Sequence, residues 1–309
     1  MSLDAARRRA TLRAMWRNRL GLFALMLVAF ALGACTMCPS YRNPGGSWAQ
    51  SSDHVRIHYR TAGSGEPTIV FVHGWCCNKL HFDDAMERLA PRHRVVALDL
   101  AGHGESDSNR RAWTIDAFAQ DVKAVVDRLH LGPNERVVLV GHSMGAPVAL
   151  AAAQLLPGKV VGVIAVDALH DVDRKLSEAE IDVMIAPYRQ HFLETTDQLV
   201  RKFFFEPGSD PKLVDEVARS LAAANPEVAV PIMEQMFRWN IAELVEAAHV
   251  PVHCINASST PTNVEHGRAH APRFDVDLVE GVGHFVMLEA PDRFADLVES
   301  AITSFEASP

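Results

Sequence analysis

The stretch Gly141–Gly145, GHSMG, follows the apolar run 137–140 and precedes an alanine-rich segment with the pattern of a helix. Strand, G-x-S-x-G and helix in this order predict a sharp turn whose central residue has a strained backbone conformation. Glycines flank the centre of such a turn because side chains there would collide with neighbouring backbone. The turn exposes the hydroxyl of Ser143 at the start of a helix, where backbone N–H groups stabilise negative charge. Ser143 is therefore the candidate nucleophile.

Strand and helix patterns alternate on both sides of this turn. Apolar or alternating runs predict strands at 54–60, 68–72, 95–98, 136–140, 160–166, 250–255 and 274–279. Helical patterns occupy 114–131, 146–156 and 290–305. Continuous apolar strands joined by helices predict an α/β fold with a mostly parallel sheet that helices cover on both faces.

Residues 171–249 interrupt this alternation, because they have helical patterns and no convincing strand. An insertion of this length between two core strands is typical of a helical lid over a binding pocket. The alternative is a set of additional surface helices with no role at a pocket.

The N-terminal residues 1–34 have the pattern of an export signal. Six arginines precede an uncharged stretch, Leu20–Ala34, which is short for a membrane-spanning helix and typical of a signal peptide. The stretch ends in Leu-Gly-Ala before Cys35, which resembles the lipobox of bacterial lipoproteins. The resemblance implies lipidation at Cys35, and Thr36 after it implies the periplasmic side of the outer membrane.

Other export routes fit the same residues. An uncleaved anchor, or a plain signal peptide followed by an incidental cysteine, would give a membrane-bound, periplasmic or secreted protein, and a cytoplasmic location is also open. Residues 35–52 are rich in Ser, Asn, Pro and Gly, and we interpret them as a tether.

Composition limits the partners of the chain. Of 309 residues, 48% are hydrophobic and 22% charged, which is typical of a globular protein. The formal net charge is −8, and the part after the arginine-rich start is more acidic still. An acidic body argues against binding to nucleic acid or anionic lipid. We expect no metal and no organic cofactor, because the sequence has neither a ligand cluster nor a phosphate-binding loop.

Four motifs in a fixed order resemble the α/β-hydrolase fold over residues 54 to 307. They are His73-Gly74-Trp75 after the predicted strand 68–72, Asp99 with 102–106 after 95–98, the GHSMG turn after 136–140, and Gly281–Phe285 after the last strand. The first three of these strands correspond to the third, fourth and fifth strands of that fold. The resemblance implies an eight-stranded type of sheet flanked by helices, with the helical lid inserted after the sixth strand. It divides the chain into a core at 53–170 and 250–309 and a lid at 171–249.

The resemblance also assigns candidate catalytic roles. His284, in the glycine-flanked loop after the last strand, is the implied general base for Ser143. Many relatives carry the acid after the strand predicted at 250–255, where this chain has Asn256 and no carboxylate before Glu265. Some relatives carry it one strand earlier. There Asp167 is the first candidate and Asp171 the alternative, and a site without any acid stays open.

The oxyanion hole implied by the resemblance consists of the backbone N–H groups of Trp75 and Met144. His73, His103 and His142 are interpreted as residues that fix loops by hydrogen bonding. A serine nucleophile excludes the carboxylate chemistry of haloalkane dehalogenases and epoxide hydrolases. The expected substrate is a small or medium apolar ester.

Several alternatives to ester hydrolysis remain. They are cleavage of a C–C bond, a lactone or an amide, a cofactor-free haloperoxidase reaction, and a non-catalytic binding or structural protein of the envelope. The sequence does not define an oligomeric state.

Overall fold

Eight strands form one sheet in the computed structural model, which describes residues 46–271 and 273–307. The strands are β1 (Ser47–Gln50), β2 (Arg56–Ala62), β3 (Thr68–Val72), β4 (Val95–Leu98), β5 (Val137–His142), β6 (Val160–Val166), β7 (Val252–Ala257) and β8 (Phe274–Val279). Their order is β1-β2-β4-β3-β5-β6-β7-β8. The pairs β1–β2 and β2–β4 are antiparallel and all others are parallel. The predicted α/β fold with a mostly parallel sheet is confirmed.

Helices connect these strands. They are α1 (Asp83–Leu89), α2 (Ile115–Arg128), α3 (Gly145–Gln154), α4 (Glu178–Phe203), α5 (Pro211–Ala222), α6 (Pro226–Met236), α7 (Ile241–Ala248), α8 (Val264–His270), α9 (Val286–Glu289) and α10 (Pro291–Glu306). A 3₁₀ turn, Lys79–Phe82, precedes α1.

The sheet is covered on both faces at its centre and exposed toward one edge. Every residue of β3 and β5 is buried, which explains their continuous apolar sequences. Full burial stabilises each such Val, Ile, Leu or Phe side chain by about 1.5–3 kcal/mol. In β8, by contrast, the four inner positions are partly or fully exposed. The core therefore lies around the central parallel strands.

Local signals at the helix starts explain several boundaries. The side chain of Thr114 accepts a hydrogen bond from the backbone N–H of Ala117, which places the start of α2 as predicted. Ser177 and Glu180 form a capping box at the start of α4. Helices α5, α6 and α10 begin with proline, whose missing N–H costs nothing in the first turn.

The insertion between β6 and β7 is helical. Helices α4 to α7 occupy it, and all of residues 171–249 are described without a strand among them. The α4 segment is kinked at His191, where φ is −142° and ψ is 57°. We call residues 171–249 the helical insertion.

The predicted C-terminal boundary of the tether, residues 35–52, is wrong. Ser47–Gln50 form β1 and pair with Arg56–Tyr59 of β2, so the sheet begins inside the predicted tether. A four-residue edge strand that buries one side chain lacks the apolar run from which a strand is predicted. Outside the described residues lie the predicted signal peptide, the lipidation site Cys35 and the first part of the tether. Within the described ranges, no helix is both long and apolar enough to cross a membrane.

Candidate active site

The turn after β5 has the strained geometry that its sequence predicts. Ser143 has a φ of +51°, in the region that non-glycine residues rarely adopt. A Cβ atom on Gly141 would lie 2.3 Å from the carbonyl oxygen of Gly145. A Cβ on Gly145 would lie 2.2 Å from the carbonyl oxygen of Val72 in β3. Both positions therefore require glycine, because backbone atoms occupy the space of a side chain.

Three strands bring the candidate residues to one edge of the sheet. Ser143 follows β5, Asp167 follows β6, and His284 lies in the loop after β8. The backbone N–H of Ser143 donates to the carbonyl of Val166, 3.0 Å away, so the ladder between β5 and β6 continues into the turn. Carboxyl ends of parallel strands are the usual place for a ligand site in an open α/β sheet.

His284 and Asp167 are in direct contact. Nδ1 of His284 lies 2.6 Å from Oδ2 of Asp167, and the other carboxylate oxygen accepts the backbone N–H of Ala257 at 2.9 Å. A nitrogen at this distance from a carboxylate carries the proton, which leaves Nε2 of His284 as the basic nitrogen. Asp167 is buried and has a φ of +43°. The structure thus brings together the histidine and the first acid candidate.

The alternative acid, Asp171, lines the larger cavity beside Ser143 and His284 but has a different bonding partner. Its Oδ1 is 2.7 Å from Nδ1 of His266, and both side chains are exposed. Within 46–271 and 273–307, no hydrogen bond or ion pair joins Asp171 to His284. Asn256 points to the backbone of Ala168 rather than to His284.

The backbone of His284 is fixed on both sides. Its N–H donates to the carbonyl of Phe204 at 2.7 Å, and its carbonyl accepts from Nε2–H of His142 at 2.9 Å. Burial, followed by the proximity of His284, lowers the pKa of His142 well below its usual value. His142 is therefore a neutral donor, as expected of a loop-fixing residue. The contact from Phe204 was not foreseen, because an aromatic residue in a helical pattern carries no sign of a backbone role.

His73 and His103 also bond to loops. Nδ1 of His73 lies 2.7 Å from the carbonyl of Gly74, and its Nε2 accepts from the N–H of Leu100 at 3.0 Å. Nδ1 of His103 lies 3.0 Å from the carbonyl of Ala101. Burial lowers the pKa of both imidazoles, which keeps them neutral.

Two backbone N–H groups beside Ser143 are available as donors. Among the described residues, neither Trp75 nor Met144 donates its backbone N–H to another residue. Gly74 brings the first of them close, since a Cβ there would lie 3.2 Å from Cβ of Ser143. That these two N–H groups form the oxyanion hole stays a prediction.

The side chain of Trp75 joins this loop to the helical insertion. Its Nε1–H donates to the carbonyl of Ala229 in α6 at 2.8 Å. Its ring packs edge-on against Tyr188 and Phe192 of α4, with both centroid separations 5.9 Å. Trp75 therefore has a packing role in addition to its predicted backbone role.

Two adjoining cavities share Ser143 and His284 in their walls. The smaller, about 320 Å³, is lined mainly by apolar side chains of the core and the insertion, including Leu221 and Met233. The larger, about 550 Å³, is more open and includes polar residues such as Arg174 and Ser259. Both volumes are in the range of small-molecule sites. Chain segments of the insertion contribute to both cavities.

One cluster of potential metal ligands was found in the described ranges, away from these cavities. It consists of His58, Asp99 and Glu105. Nζ of Lys79 lies 2.6 Å from a carboxylate oxygen of each acid, and Lys79 and Asp99 are buried. The lysine supplies the positive charge that these carboxylates need, so the cluster has a structural explanation. It also explains the motif at 99–106, whose partner Lys79 no sequence pattern marked.

Comparison with known proteins gives a consistent picture. A model described as "Alpha/beta hydrolase family" matches residues 69–297. The chain is 29% identical over 275 residues to an uncharacterized protein of Mycobacterium tuberculosis (strain ATCC 25618 / H37Rv), which covers 81% of this chain and 79% of the relative.

Solved structures show the same fold. An esterase from Exiguobacterium antarcticum superimposes with a TM-score of 0.72 at 20% identity, covering 84% of this chain and 99% of that one. The enol-lactonase from Burkholderia xenovorans LB400 gives a TM-score of 0.71 at 19% identity, covering 83% and 100%. At these identities the similarity establishes the fold and not the substrate.

Proposed function

The chain belongs to the alpha/beta hydrolase family, and we propose that it is a serine hydrolase that cleaves small to medium apolar carboxylic esters. The observation that carries the proposal is the 2.6 Å contact between Asp167 and His284, whose imidazole shares a cavity wall with Ser143. A buried carboxylate on Nδ1 holds an imidazole in the tautomer that can accept a proton from serine.

The proposed reaction has two stages. Nε2 of His284 takes the proton of the Ser143 hydroxyl as Oγ attacks the ester carbonyl, and the carbonyl oxygen becomes an oxyanion. The N–H groups of Trp75 and Met144 donate to that oxyanion. His284 then returns its proton to the leaving alcohol. Water attacks the acyl-enzyme with the same histidine as base, which releases the acid and restores Ser143.

The two cavities support a division of the substrate between them. The smaller cavity, with Leu221 and Met233 in its wall, offers few polar groups and suits the apolar acyl chain. The larger one is open and carries Arg174 and Ser259, which suits a more polar alcohol part. We therefore propose that the helical insertion acts as a lid that determines which acyl chain fits.

Selective variants test this division. Met233→Trp narrows only the acyl cavity, and Ile241→Trp narrows only the larger one. With p-nitrophenyl esters of increasing acyl length, Met233→Trp should shift the preferred chain to shorter acyl groups. Ile241→Trp is the matched control and should leave that preference unchanged. The reverse pattern would contradict the assignment.

The reaction class itself is tested by covalent labelling. A fluorophosphonate probe should label the folded protein once, and Ser143→Ala should abolish labelling and ester hydrolysis together. Folded protein that resists the probe would favour a non-catalytic binding or structural role. Labelling without turnover of any ester in the panel would favour lactone, amide or C–C bond substrates. The same panel therefore separates the alternatives.

The proposed location is the bacterial envelope, with a lipid anchor on Cys35. It is supported by the arginine-rich start, the uncharged stretch 20–34 and the lipobox-like sequence before Cys35. The test is expression of the full chain with labelled fatty acid, followed by membrane fractionation. Cys35→Ser should lose the label, whereas Cys38→Ser should keep it and stay in the membrane fraction. Equal labelling of the two variants would contradict the anchor.

A further inference from the structure

Asn256, in β7, is a fully buried polar residue whose amide is hydrogen-bonded at both its oxygen and its nitrogen. Its Oδ1 accepts the backbone N–H of Ala168 at 3.1 Å, and its Nδ2 donates to the carbonyl of the same residue at 3.0 Å. Nδ2 also donates to Oγ1 of Thr262 at 2.9 Å. Both backbone groups of Ala168 are therefore held by one side chain from the neighbouring strand.

Ala168 lies at the centre of a strained turn. Asp167 before it and Leu169 after it have φ angles of +43° and +56°. Such backbone is unfavourable for residues with a Cβ, and it persists only where surrounding contacts enforce it. The turn contains no glycine. Its conformation therefore depends on contacts from outside the turn.

The end of β7 supplies those contacts. The backbone N–H of Ala257 donates to Oδ1 of Asp167 at 2.9 Å, next to the bonds that Asn256 makes to Ala168. The remaining carboxylate oxygen, Oδ2, is the one that lies 2.6 Å from Nδ1 of His284. Two consecutive residues of β7 thus hold the backbone and the carboxylate of the acid-bearing turn.

We propose that Asn256 is a positioning residue, which keeps the turn 167–169 in the conformation that directs Asp167 to His284. The inference rests on the proposed function, since its effect on rate passes through His284. Asn256 itself lies outside both cavity walls and is not a catalytic residue. It acts through Asp167 alone.

The two hydrogen bonds to Ala168 require both ends of an amide. One side must accept from the N–H of Ala168 and the other must donate to its carbonyl. In Asn256→Asp the ionised carboxylate would face that carbonyl with a second acceptor, next to the charge of Asp167. The imidazole of His170 also faces it, with Nδ1 3.4 Å from Nδ2 of Asn256, and burial lowers the pKa of that imidazole. Burial and the neighbouring carboxylate raise the pKa of the new carboxyl group. Only its protonated form can restore the donor.

The first experiment measures kcat and KM with p-nitrophenyl butyrate. Asn256→Ala should lower kcat by about 10²-fold, the scale expected when a catalytic group is misplaced by about 1 Å. KM should change much less than kcat. In an Asp167→Asn background the same substitution should cause no further loss, because Asn256 acts only through that carboxylate. Equal loss in both backgrounds, or wild-type kcat in Asn256→Ala, would overturn the inference.

The second experiment uses pH. Relative to wild type, Asn256→Asp should lose stability as pH rises through the pKa of the new carboxyl group and regain it as pH falls. Thermal unfolding across pH measures this difference and confirms that each variant folds. Thr262→Val is the matched control, since it removes one partner of Asn256 and leaves both bonds to Ala168. A pH-independent difference for Asn256→Asp would contradict the role of the donor.

A third readout does not require turnover. The Nδ1 proton of His284 gives a downfield NMR signal when it lies between imidazole and carboxylate, and it is assigned by its loss in His284→Gln. The signal should disappear or shift in Asn256→Ala and persist in Thr262→Val. An unchanged signal in Asn256→Ala overturns the positioning role. Failure of wild type to react with a fluorophosphonate would instead overturn the proposed function, while this signal still reports on Asn256.

Discussion

Strands β5 and β6 lie side by side, and each ends in a turn with a non-glycine residue at positive φ, Ser143 at +51° and Asp167 at +43°. The first turn is flanked by Gly141 and Gly145, which permit the close backbone approach. The second turn has no glycine and is held by the side chain of Asn256.

The difference separates two ways of encoding strain. In the first turn the flanking glycines of the local sequence permit the close backbone approach, so the motif can be recognised without any structure. In the second turn the bonding partner lies 88 residues away along the chain. A turn of this second kind leaves no local pattern, and it moves when the distant partner changes.

The largest effect is expected at the first turn. Ser143→Ala removes the proposed nucleophile, and kcat for ester hydrolysis should fall by about 10⁶-fold, as for loss of the nucleophile in known serine hydrolases. Ser300→Ala, at an exposed position of α10 that lines neither cavity, is the control and should keep its rate. Single-turnover kinetics measure the hydrolysis rates of both variants. Retained activity in Ser143→Ala would remove the first turn from the chemistry.

The second turn should show a smaller loss. Asp167→Asn leaves the shape of the side chain but favours the wrong tautomer of His284, and kcat should fall by about 10⁴-fold. Asp171→Asn is the control, because that carboxylate bonds to His266 instead. If the two substitutions have equal effects on kcat, the assignment of the acid to the second turn is wrong.

Sequence alone predicts the first turn and the order of its partners, for physical reasons that differ by residue. The glycines of the GHSMG turn and the glycine-flanked His284 are local requirements, so they are visible in the chain. Asp167 was one of several open possibilities, because its support comes from Asn256 and Ala257 of another strand. Those contacts exist only after folding.

The same reason explains which elements of the fold could not be predicted from the sequence. Long apolar strands and capped helices were placed closely, since burial and capping are local patterns. The short edge strand Ser47–Gln50 was assigned to the tether, and the seven-residue helices α1 and α8 were not foreseen. Elements this short depend mainly on their neighbours for stability.

Strain at the first turn can be tested through stability. Gly145→Ala places a Cβ against the backbone of Val72, and this clash cannot be relieved by moving a side chain. The substitution should therefore lower the free energy of unfolding by about 1–3 kcal/mol. Gly208→Ala is the control, because a Cβ there meets nothing within 4 Å. Urea unfolding compares the two. A Gly145→Ala protein as stable as Gly208→Ala would show that the turn can relax.

The smallest effect is expected at Trp75, whose loop resembles the second turn in its dependence on distant contacts. Trp75→Phe keeps an aromatic ring and loses the hydrogen bond to Ala229, which should cost about 1 kcal/mol of stability. Trp113→Phe changes a tryptophan that stacks on Phe118 and serves as the control. Urea titrations should separate the variants. Equal losses of stability in the two variants would mean that the smaller ring, and not the lost hydrogen bond, causes the destabilisation.

The contacts of Trp75 have a consequence for engineering. A residue whose backbone N–H is a proposed oxyanion donor has its indole bonded to α6 and packed on α4. Transplanting the insertion from a relative would therefore replace both partners of that indole. Chimeras that keep Trp75 but exchange residues 171–249 should change in catalytic rate as well as in substrate range. We therefore expect a change of the insertion to alter specificity and rate together.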